Sequence, residues 1–487
     1  MKLDEYARHD ALGLAALVAR SEVSATELAA VAARAIAAAN GALNAVVETY
    51  PDRIETLDES RLGNGPFRGV PFLMKDVYGH EGGRTIEFGS RLCRGMVATQ
   101  DSAYCQLLKA AGVNIIGRSA APEYSMAGTT EGALYGNTST PWRKGFSAGG
   151  SSGGAMAAVM AGMVPVAQGT DIAGSIRIPA SFCGGVGLKP SRGRISFAPM
   201  LDENGFGLAQ NFVQTKTLRD AAAMLDCLAL PQPGDPFLIP RPALPYAELA
   251  RQDSPRLRIG WSTSPLMGLA ADPEVAAAVK ATAHLLASMG HDVEEADPVP
   301  PGLDALRCMM DIWFFGFDLR LAGYAQRTGL MIGPDTLEPM TWKICQHARQ
   351  MKPAQFLAAM ATLNAVRRQL GTYFVQHDIW LGPTTAGVAE PWGRYNLGRD
   401  DLGLDDFAEH LLRPTVQYTL PHNIMGTPAL SLPLAMHSNG LPIGVQLAAG
   451  PAQEHLLLQL GTALEAALPW SGRVPPLHVT VQREGVA

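Results

Sequence analysis

GGSSGG at residues 149–154 and GTDIAGSIRIPA at residues 169–180 flank a mostly apolar run, residues 155–167, which predicts a buried helix. The packing of a hydrophobic core does not by itself explain two clusters in which serine and glycine are adjacent. Glycine admits positive φ, so backbone N–H groups can converge on a small anion or an oxyanion. A serine hydroxyl becomes a nucleophile once a base stands beside it. The stretch therefore predicts a site with two serines, one that attacks and one that relays its proton.

A lysine at the end of an apolar segment is the candidate base. In FRGVPFLMKDVY, residues 67–78, the run from Val70 to Met74 ends on Lys75. Such a run predicts a strand buried on both faces, which delivers Lys75 to the interior. Most lysines are solvated surface charges, but this context favours a buried amine. Burial lowers the pKa of a lysine, which makes a neutral general base available near pH 7.

Helical and extended patterns alternate along the chain. Residues 10–47 are predicted to be helical, with Ser24 as an N-cap and Asn40-Gly41 as a stop signal. Residues 101–111 predict an amphipathic helix and residues 113–117 a buried strand. This alternation predicts an α/β fold.

Composition narrows the class of protein. The chain has 487 residues, 47% hydrophobic and 17% charged, with a net charge of −6, which indicates a large core and no nucleic-acid partner. Its six cysteines are scattered without a paired spacing, a pattern typical of reduced thiols in a cytoplasmic protein. Neither an apolar signal segment at the start of the chain nor an apolar run of membrane-spanning length is found, so we expect a cytoplasmic protein without a membrane partner.

Five motifs together resemble the amidase signature family of serine hydrolases. They are GVPFLMKD at 69–76, GGSSGG at 149–154, GTDIAGSIRIPASFCGGVGLKP at 169–190, NIMGTPALSLPL at 423–434 and GLPIGVQL at 440–447. The resemblance implies a single α/β domain over residues 1–487, with a central mixed β-sheet surrounded by helices. It places the catalytic core at about 67–220 and more variable, substrate-shaping segments at about 231–420.

The resemblance also implies the site residues. Lys75 matches the family's base, Ser151 its cis-serine and Ser175 its nucleophile, 24 positions after Ser151. The remaining implied residues are the oxyanion-hole N–H groups of Ile172, Ala173 and Gly174 with that of Ser175, and the supporting side chains of Ser152, Asp171 and Arg177. Ala173 stands where the family often has glycine, which predicts a slightly narrower oxyanion hole.

The implied activity is hydrolysis of C–N bonds in carboxylic amides through an acyl-enzyme on Ser175, without a cofactor or a metal. A loop with Met126, Gly128 and Thr129 is predicted to shape the pocket. A roomy apolar site is indicated by three aromatic residues, Trp313, Phe314 and Trp342. We therefore expect small-molecule substrates: aryl or linear acyl amides, cyclic or oligomeric amides, or carbamates. The sequence does not determine the acyl group, the leaving amine or the preference among amide, ester and carbamate. It also does not determine the oligomeric state, for which a homodimer is one option.

Other classes of protein share parts of this pattern. A glutamine-hydrolysing amidotransferase subunit would use the same relay, and a catalytically silent binding protein could keep the same fold. The eleven histidines include no HExxH pattern, which disfavours a metallohydrolase. A Ser-His-Asp triad would need a loop histidine, and His422 is the one near a family motif. Nothing around Cys308 predicts an activated thiol. The roles of His422 and Cys308 stay open.

Overall fold

The computed structural model describes residues 1–481. Its β-strands in chain order are β1 (Val46–Thr49), β2 (Pro71–Lys75), β3 (Asn114–Ser119), β4 (Ser139–Thr140), β5 (Arg143–Ser147), β6 (Val166–Asp171), β7 (Val186–Lys189), β8 (Gln210–Thr215), β9 (Arg258–Trp261), β10 (Asp292–Glu295), β11 (Ile379–Pro383), β12 (Ala429–Met436) and β13 (Pro442–Ala449).

The α-helices in chain order are α1 (Leu3–Arg8), α2 (Ala11–Ala19), α3 (Ala25–Leu43), α4 (Pro51–Ile54), α5 (Ala103–Ala111), α6 (Gly153–Met160), α7 (Arg177–Cys183), α8 (Leu218–Leu228), α9 (Tyr246–Leu249), α10 (Pro273–Ser288), α11 (Gly302–Phe314), α12 (Phe317–Thr328), α13 (Pro339–Ala348), α14 (Pro353–Gly371), α15 (Tyr373–Gln376), α16 (Leu404–Asp406), α17 (Arg413–Val416), α18 (Leu420–Met425) and α19 (Glu454–Ala467). None of these helices combines the length and the apolar character needed to cross a bilayer.

One large mixed sheet runs through the molecule. Its eleven strands lie in the order β1-β3-β2-β6-β8-β7-β12-β13-β11-β9-β10, and β4 and β5 form a separate pair. The pairs β3-β2, β2-β6, β11-β9 and β9-β10 are parallel and the others are antiparallel. The predicted α/β class, with a central mixed sheet surrounded by helices, is confirmed.

The sheet gathers the motifs at one edge. Every residue of β2 is buried, as its apolar run predicts, and the strand ends at Lys75. Its parallel neighbour β6 ends at Asp171. The carboxyl ends of parallel strands meet at the same edge of a sheet, so Lys75 and the segment that leads to Ser175 come together there. Helix α6 starts at the same place, directly after Ser151 and Ser152.

Two predicted helix boundaries were wrong. The helix expected over residues 155–167 ends at Met160, because Gly162 takes a positive φ of 79° and the chain re-enters the sheet at Val166. Helix α3 passes through Asn40-Gly41 and ends at Leu43. The Asn40 side chain accepts the N–H groups of Ala45 and Val46, so it stabilises the turn after the helix while it remains helical itself.

Candidate active site

Three hydroxyl groups surround the amine of Lys75, which is 2% exposed. Its Nζ donates to Ser151 Oγ at 2.8 Å, to Ser152 Oγ at 3.0 Å and to Thr170 Oγ1 at 2.7 Å. The two carboxylates that act on it electrostatically, Asp76 and Asp171, pair with arginines instead. Within residues 1–481 the amine therefore has neutral partners alone.

Burial lowers the pKa of Lys75 well below its ordinary value, and the attraction of Asp171 and Asp76 offsets this in part. Desolvation acts against the charged form of an amine, and hydroxyl partners stabilise an ammonium less than a carboxylate would. The uncharged amine keeps a lone pair, which can accept a proton. Lys75 can thus accept a proton, and its role as the catalytic base stays a prediction.

Ser152 and Thr170 hold the amine in place. Ser152 Oγ accepts the N–H of Thr170 at 3.1 Å and reaches the carbonyl oxygen of Thr170 at 3.3 Å. Because its hydrogen is directed at that carbonyl, the Ser152 hydroxyl faces Lys75 as an acceptor. Thr170 was not among the predicted site residues. Its place directly before Asp171 in the GTD motif was the signal that could have found it.

Ser175 lies beside the two neighbouring serines and is 7% exposed. The N–H of Ser152 donates to the carbonyl oxygen of Ser175 at 3.2 Å, so the two glycine-serine clusters are joined. The peptide bond between Gly150 and Ser151 is cis. In the part of the chain that the structure describes, the Ser175 hydroxyl makes no side-chain hydrogen bond. The link from Ser151 to Ser175 therefore stays a prediction, whereas Lys75 and Ser151 are in direct contact.

The backbone before Ser175 presents N–H groups without acceptors in the described structure. Within residues 1–481, the backbone N–H groups of residues 172–175 have no hydrogen-bond acceptor. The N–H of Ile176 differs, since it donates to the Asp171 carboxylate at 3.2 Å. Gly174 has a φ of 140°, which side chains rarely adopt, and a Cβ there would collide with Thr419. Successive unpaired N–H groups next to a serine can stabilise an oxyanion.

A buried ion pair fixes this loop. Arg177 donates to both carboxylate oxygens of Asp171, each at 2.9 Å, and both side chains are inaccessible to solvent. Its remaining N–H groups reach the side chains of Asn423 and Gln446 at 2.6 and 2.8 Å. Burial raises the pKa of Asp171, but Arg177 outweighs it and lowers that pKa to about 2. Asp171 and Arg177 thus support the loop from within. The other partners of Arg177 are Asn423 and Gln446, one from each C-terminal motif, and the carbonyl oxygen of Thr419 at 2.9 Å.

The three predicted pocket residues lie next to the serine loop. Met126 and Thr129 are buried, and the Thr129 hydroxyl is occupied by Glu131 at 2.6 Å and Ser147 at 2.7 Å. A Cβ on Gly150 would collide with the backbone of Thr129, and one on Gly128 with Thr415. The loop therefore braces the serine segment, and its contact with substrate stays a prediction.

The two side chains left open by the sequence are not activated. His422 is buried, lies edge-on to Trp380 with ring centres 5.0 Å apart, and its Nδ1 is 3.4 Å from the Thr427 hydroxyl. Burial and the nearby cations lower its pKa well below the ordinary value, so it is neutral. Burial raises the pKa of the Cys308 thiol. Neither residue forms a hydrogen bond with Ser175 in the described structure.

Comparison with known proteins agrees with this geometry. A family model described as Amidase matches residues 27–458. The chain belongs to the amidase signature family. It is an enzyme that hydrolyses amide C–N bonds, as predicted.

The similarity to individual amidases extends over almost the whole chain. The 6-aminohexanoate-cyclic-dimer hydrolase of Pseudomonas sp. (strain NK87) is 37% identical over 483 residues, 96% of each chain. The acylamidase of Rhodococcus erythropolis is 32% identical over 473 residues, 95% of this chain and 96% of its own. A solved structure of 6-aminohexanoate cyclic dimer hydrolase complexed with substrate superposes with a TM-score of 0.90 and 35% identity, over 97% of this chain and 99% of that one.

Proposed function

We propose that this amidase cleaves its substrates through an acyl-enzyme on Ser175, with Lys75 as the general base and Ser151 as the proton relay. The neutral amine of Lys75 takes the Ser151 proton while Ser151 takes the Ser175 proton, and Ser175 Oγ bonds to the carbonyl carbon. The proton then returns through Ser151 to the leaving nitrogen as the C–N bond breaks. Water releases the acyl group by the same relay.

The observation that carries this proposal is the 2.8 Å hydrogen bond between Lys75 Nζ and Ser151 Oγ, in a buried setting where no carboxylate of residues 1–481 pairs with the amine. A lysine with a carboxylate partner would hold its proton and could not act as a base near neutral pH. The N–H groups of residues 172–175, which have no acceptor within residues 1–481, support the attack of Ser175 on the carbonyl carbon. Negative charge develops on the carbonyl oxygen during this attack, and these N–H groups can stabilise it.

For the substrate, we propose uncharged carboxylic amides of small molecules with aryl or linear acyl groups, including cyclic and oligomeric amides, and carbamates as a secondary class. The names of the relatives that act on a cyclic 6-aminohexanoate dimer and on acyl amides support this range. The catalytic core lies within about residues 67–220, and the segments within about 231–420 set the preference among these substrates.

An activity panel tests the proposal. Acetamide, butyramide, a 4-nitroanilide, the cyclic 6-aminohexanoate dimer and an aryl carbamate are incubated with the wild-type enzyme and with Ser175→Ala, and a fluorophosphonate probe is followed by intact mass. We expect turnover of the larger amides, one probe per wild-type chain, and neither turnover nor labelling in Ser175→Ala. Wild-type-like turnover by Ser175→Ala would contradict the nucleophile. Turnover of acetamide alone would contradict the substrate range.

A further inference from the structure

Residues 199–207 form a loop, which we call the strap, that leads into β8. The strand begins at Gln210, whose register partner is Asp171, the last residue of β6. Directly opposed residues of paired strands are neighbours. The strap therefore approaches the sheet beside the point at which residues 172–175 leave it, at the edge where Lys75 and Ser175 come together.

The strap lies directly on the side chain of Ile172, the first residue of the segment that presents its N–H groups. A Cβ on Gly205 would be 2.6 Å from Ile172 Cδ1, which leaves no room for a side chain between the two residues. Ile172 is 8% exposed and Ser175 is 7% exposed. Little of this segment is therefore open to a substrate while the strap is in this position.

Both ends of the strap are anchored by hydrogen bonds. The carbonyl oxygen of Ala198 accepts the N–H of Ala103 at 2.8 Å. At the other end, the carbonyl oxygen of Leu208 accepts Asn423 Nδ2 at 3.0 Å, and the same Nδ2 donates to the Asp171 carboxylate at 2.9 Å. The ends of the strap are thus fixed to the part of the molecule that holds the site.

Few polar contacts hold the middle of the strap. Apart from bonds to its own flanking residues, two hydrogen bonds within residues 1–481 tie it to the rest of the protein. Arg192 Nε donates to the carbonyl oxygen of Gly207 at 2.6 Å, and Gln100 Nε2 donates to Met200 Sδ at 3.2 Å. Met200 and Leu201 are 50% and 42% exposed. A segment with so few polar contacts and exposed apolar side chains opens locally at a low free-energy cost.

An aromatic contact closes the strap against α14. The ring of Phe206 packs on the ring of Phe356, with their centres 4.8 Å apart, and Phe356 stacks on Phe315 at 4.7 Å. Phe206 is 45% exposed, so its ring lies at the surface of the molecule. A pair of aromatic rings is worth more than the area that it buries. This contact is therefore the main attachment of the strap between its two ends.

We propose that the strap is the lid of the active site and that Phe206 and Phe356 form its latch, which selects substrates by size. The inference rests on the function proposed above, because it takes Ser175 as the group that substrates must reach. Small amides reach Ser175 with the latch closed. An amide with an aryl or long acyl group requires the strap to lift from Ile172, so the latch contact must break before such a substrate binds.

Sulfonylation of Ser175 by two reagents of different size tests the inference. Methanesulfonyl fluoride and biphenyl-4-sulfonyl fluoride each form an S–O bond to a serine and release fluoride, and intact mass gives the second-order rate constant of each. In Phe206→Ala the ratio of the biphenyl to the methane rate constant should rise about threefold to tenfold, because loss of the aromatic pair favours the open strap. Phe356→Ala should give the same rise. The double variant should add little to either single variant, because all three remove one shared contact.

The matched control is Leu357→Ala, at the next position of α14, which is 65% exposed and should keep the wild-type ratio. The inference is overturned if Phe206→Ala and Phe356→Ala also keep that ratio. It is also overturned if the ratio falls in Phe206→Ala, because the ring would then bind the large group instead of excluding it. Either result, with methanesulfonyl fluoride still reacting at Ser175, leaves the proposed function intact. A wild-type enzyme whose Ser175 reacts with neither reagent overturns both.

Discussion

The side-chain nitrogen of Lys75 lies 2.8 Å from Ser151 Oγ in the interior of the protein, and the nearby carboxylates are held by other cations. This relationship determines the chemistry available to the site. An amine that lacks both water and a carboxylate partner loses its proton more easily than a surface lysine. The adjacent hydroxyl is then the natural proton donor to it.

Comparison of Ser151→Ala with Ser152→Ala should show which of the two serines transfers the proton. We expect kcat of Ser151→Ala to fall about 10²- to 10⁴-fold, the range of a lost general acid–base step, because Lys75 no longer has an alcohol through which to reach Ser175. Ser152→Ala is the matched control, since Ser152 contacts the same amine but directs its own hydrogen at the Thr170 carbonyl. Steady-state kinetics on an anilide would measure both variants. Equal losses in the two would argue against Ser151 as the relay.

Thr170→Val should shift the pH dependence of the reaction. Protonated Lys75 has three N–H groups and three hydroxyl acceptors, and the variant removes one acceptor. The ammonium is then less stable, so the pKa of Lys75 falls further. In the proposed mechanism the protonated lysine is inactive, so the acidic limb of kcat/KM should move to lower pH. An unchanged limb, or one that moves to higher pH, would show that Thr170 does not stabilise the ammonium.

Gly174→Ala should impair catalysis more than folding. Residue 174 has a φ of 140°, and a Cβ would collide with Thr419, so the loop must move and its N–H groups with it. Loss of one oxyanion donor lowers kcat about 10²- to 10³-fold, and we expect an effect of this size. Gly323→Ala, in α12 with no atom near the added Cβ, is the control. A Gly174→Ala enzyme with wild-type kcat would exclude these N–H groups from catalysis.

Asp171→Asn should destabilise the fold. It leaves the buried Arg177 without its counter-charge, which costs about 3–5 kcal/mol in the free energy of unfolding. Asp401→Asn, which breaks an exposed pair with Arg399, should lower the free energy of unfolding far less than Asp171→Asn does. Chemical denaturation measures both variants. Near-equal stabilities would mean that the buried pair does not hold the loop.

The same ion pair predicts an acid sensitivity. The pKa of Asp171 is about 2 in the folded enzyme and 3.8 for an ordinary aspartate. The stabilisation from this group is therefore fully present above about pH 4 and is lost as the pH falls toward 2. This part of the acid sensitivity should be absent in Asp171→Asn.

The features of the site that lie within one sequence motif were predictable from the sequence. The contacts between residues that are distant in sequence were not. An unbroken apolar run ending on Lys75 can be a buried strand, and the glycine-serine clusters carry their chemistry in adjacent residues. The contact between Lys75 and Thr170 depends on which strands are neighbours, which no local pattern specifies. The partners of Arg177 at positions 423 and 446 are likewise brought in by strand and helix packing. Gly162 and Pro165 indicate that the helix ends before residue 167. The residues on both sides of them are apolar, so composition alone does not distinguish the helix from the strand that follows.

The pH dependence of kcat/KM, measured side by side for the wild-type enzyme and Lys75→Ala, tests the role of the neutral lysine most directly. We predict that wild-type activity is already complete far below pH 10.4, the ordinary pKa of lysine, and falls in acid as the amine is protonated. Lys75→Ala should lose about 10²-fold or more of kcat/KM, and its residual activity should lack that acidic limb. Wild-type-like activity in Lys75→Ala, or a wild-type profile that rises only near pH 10, would contradict the account.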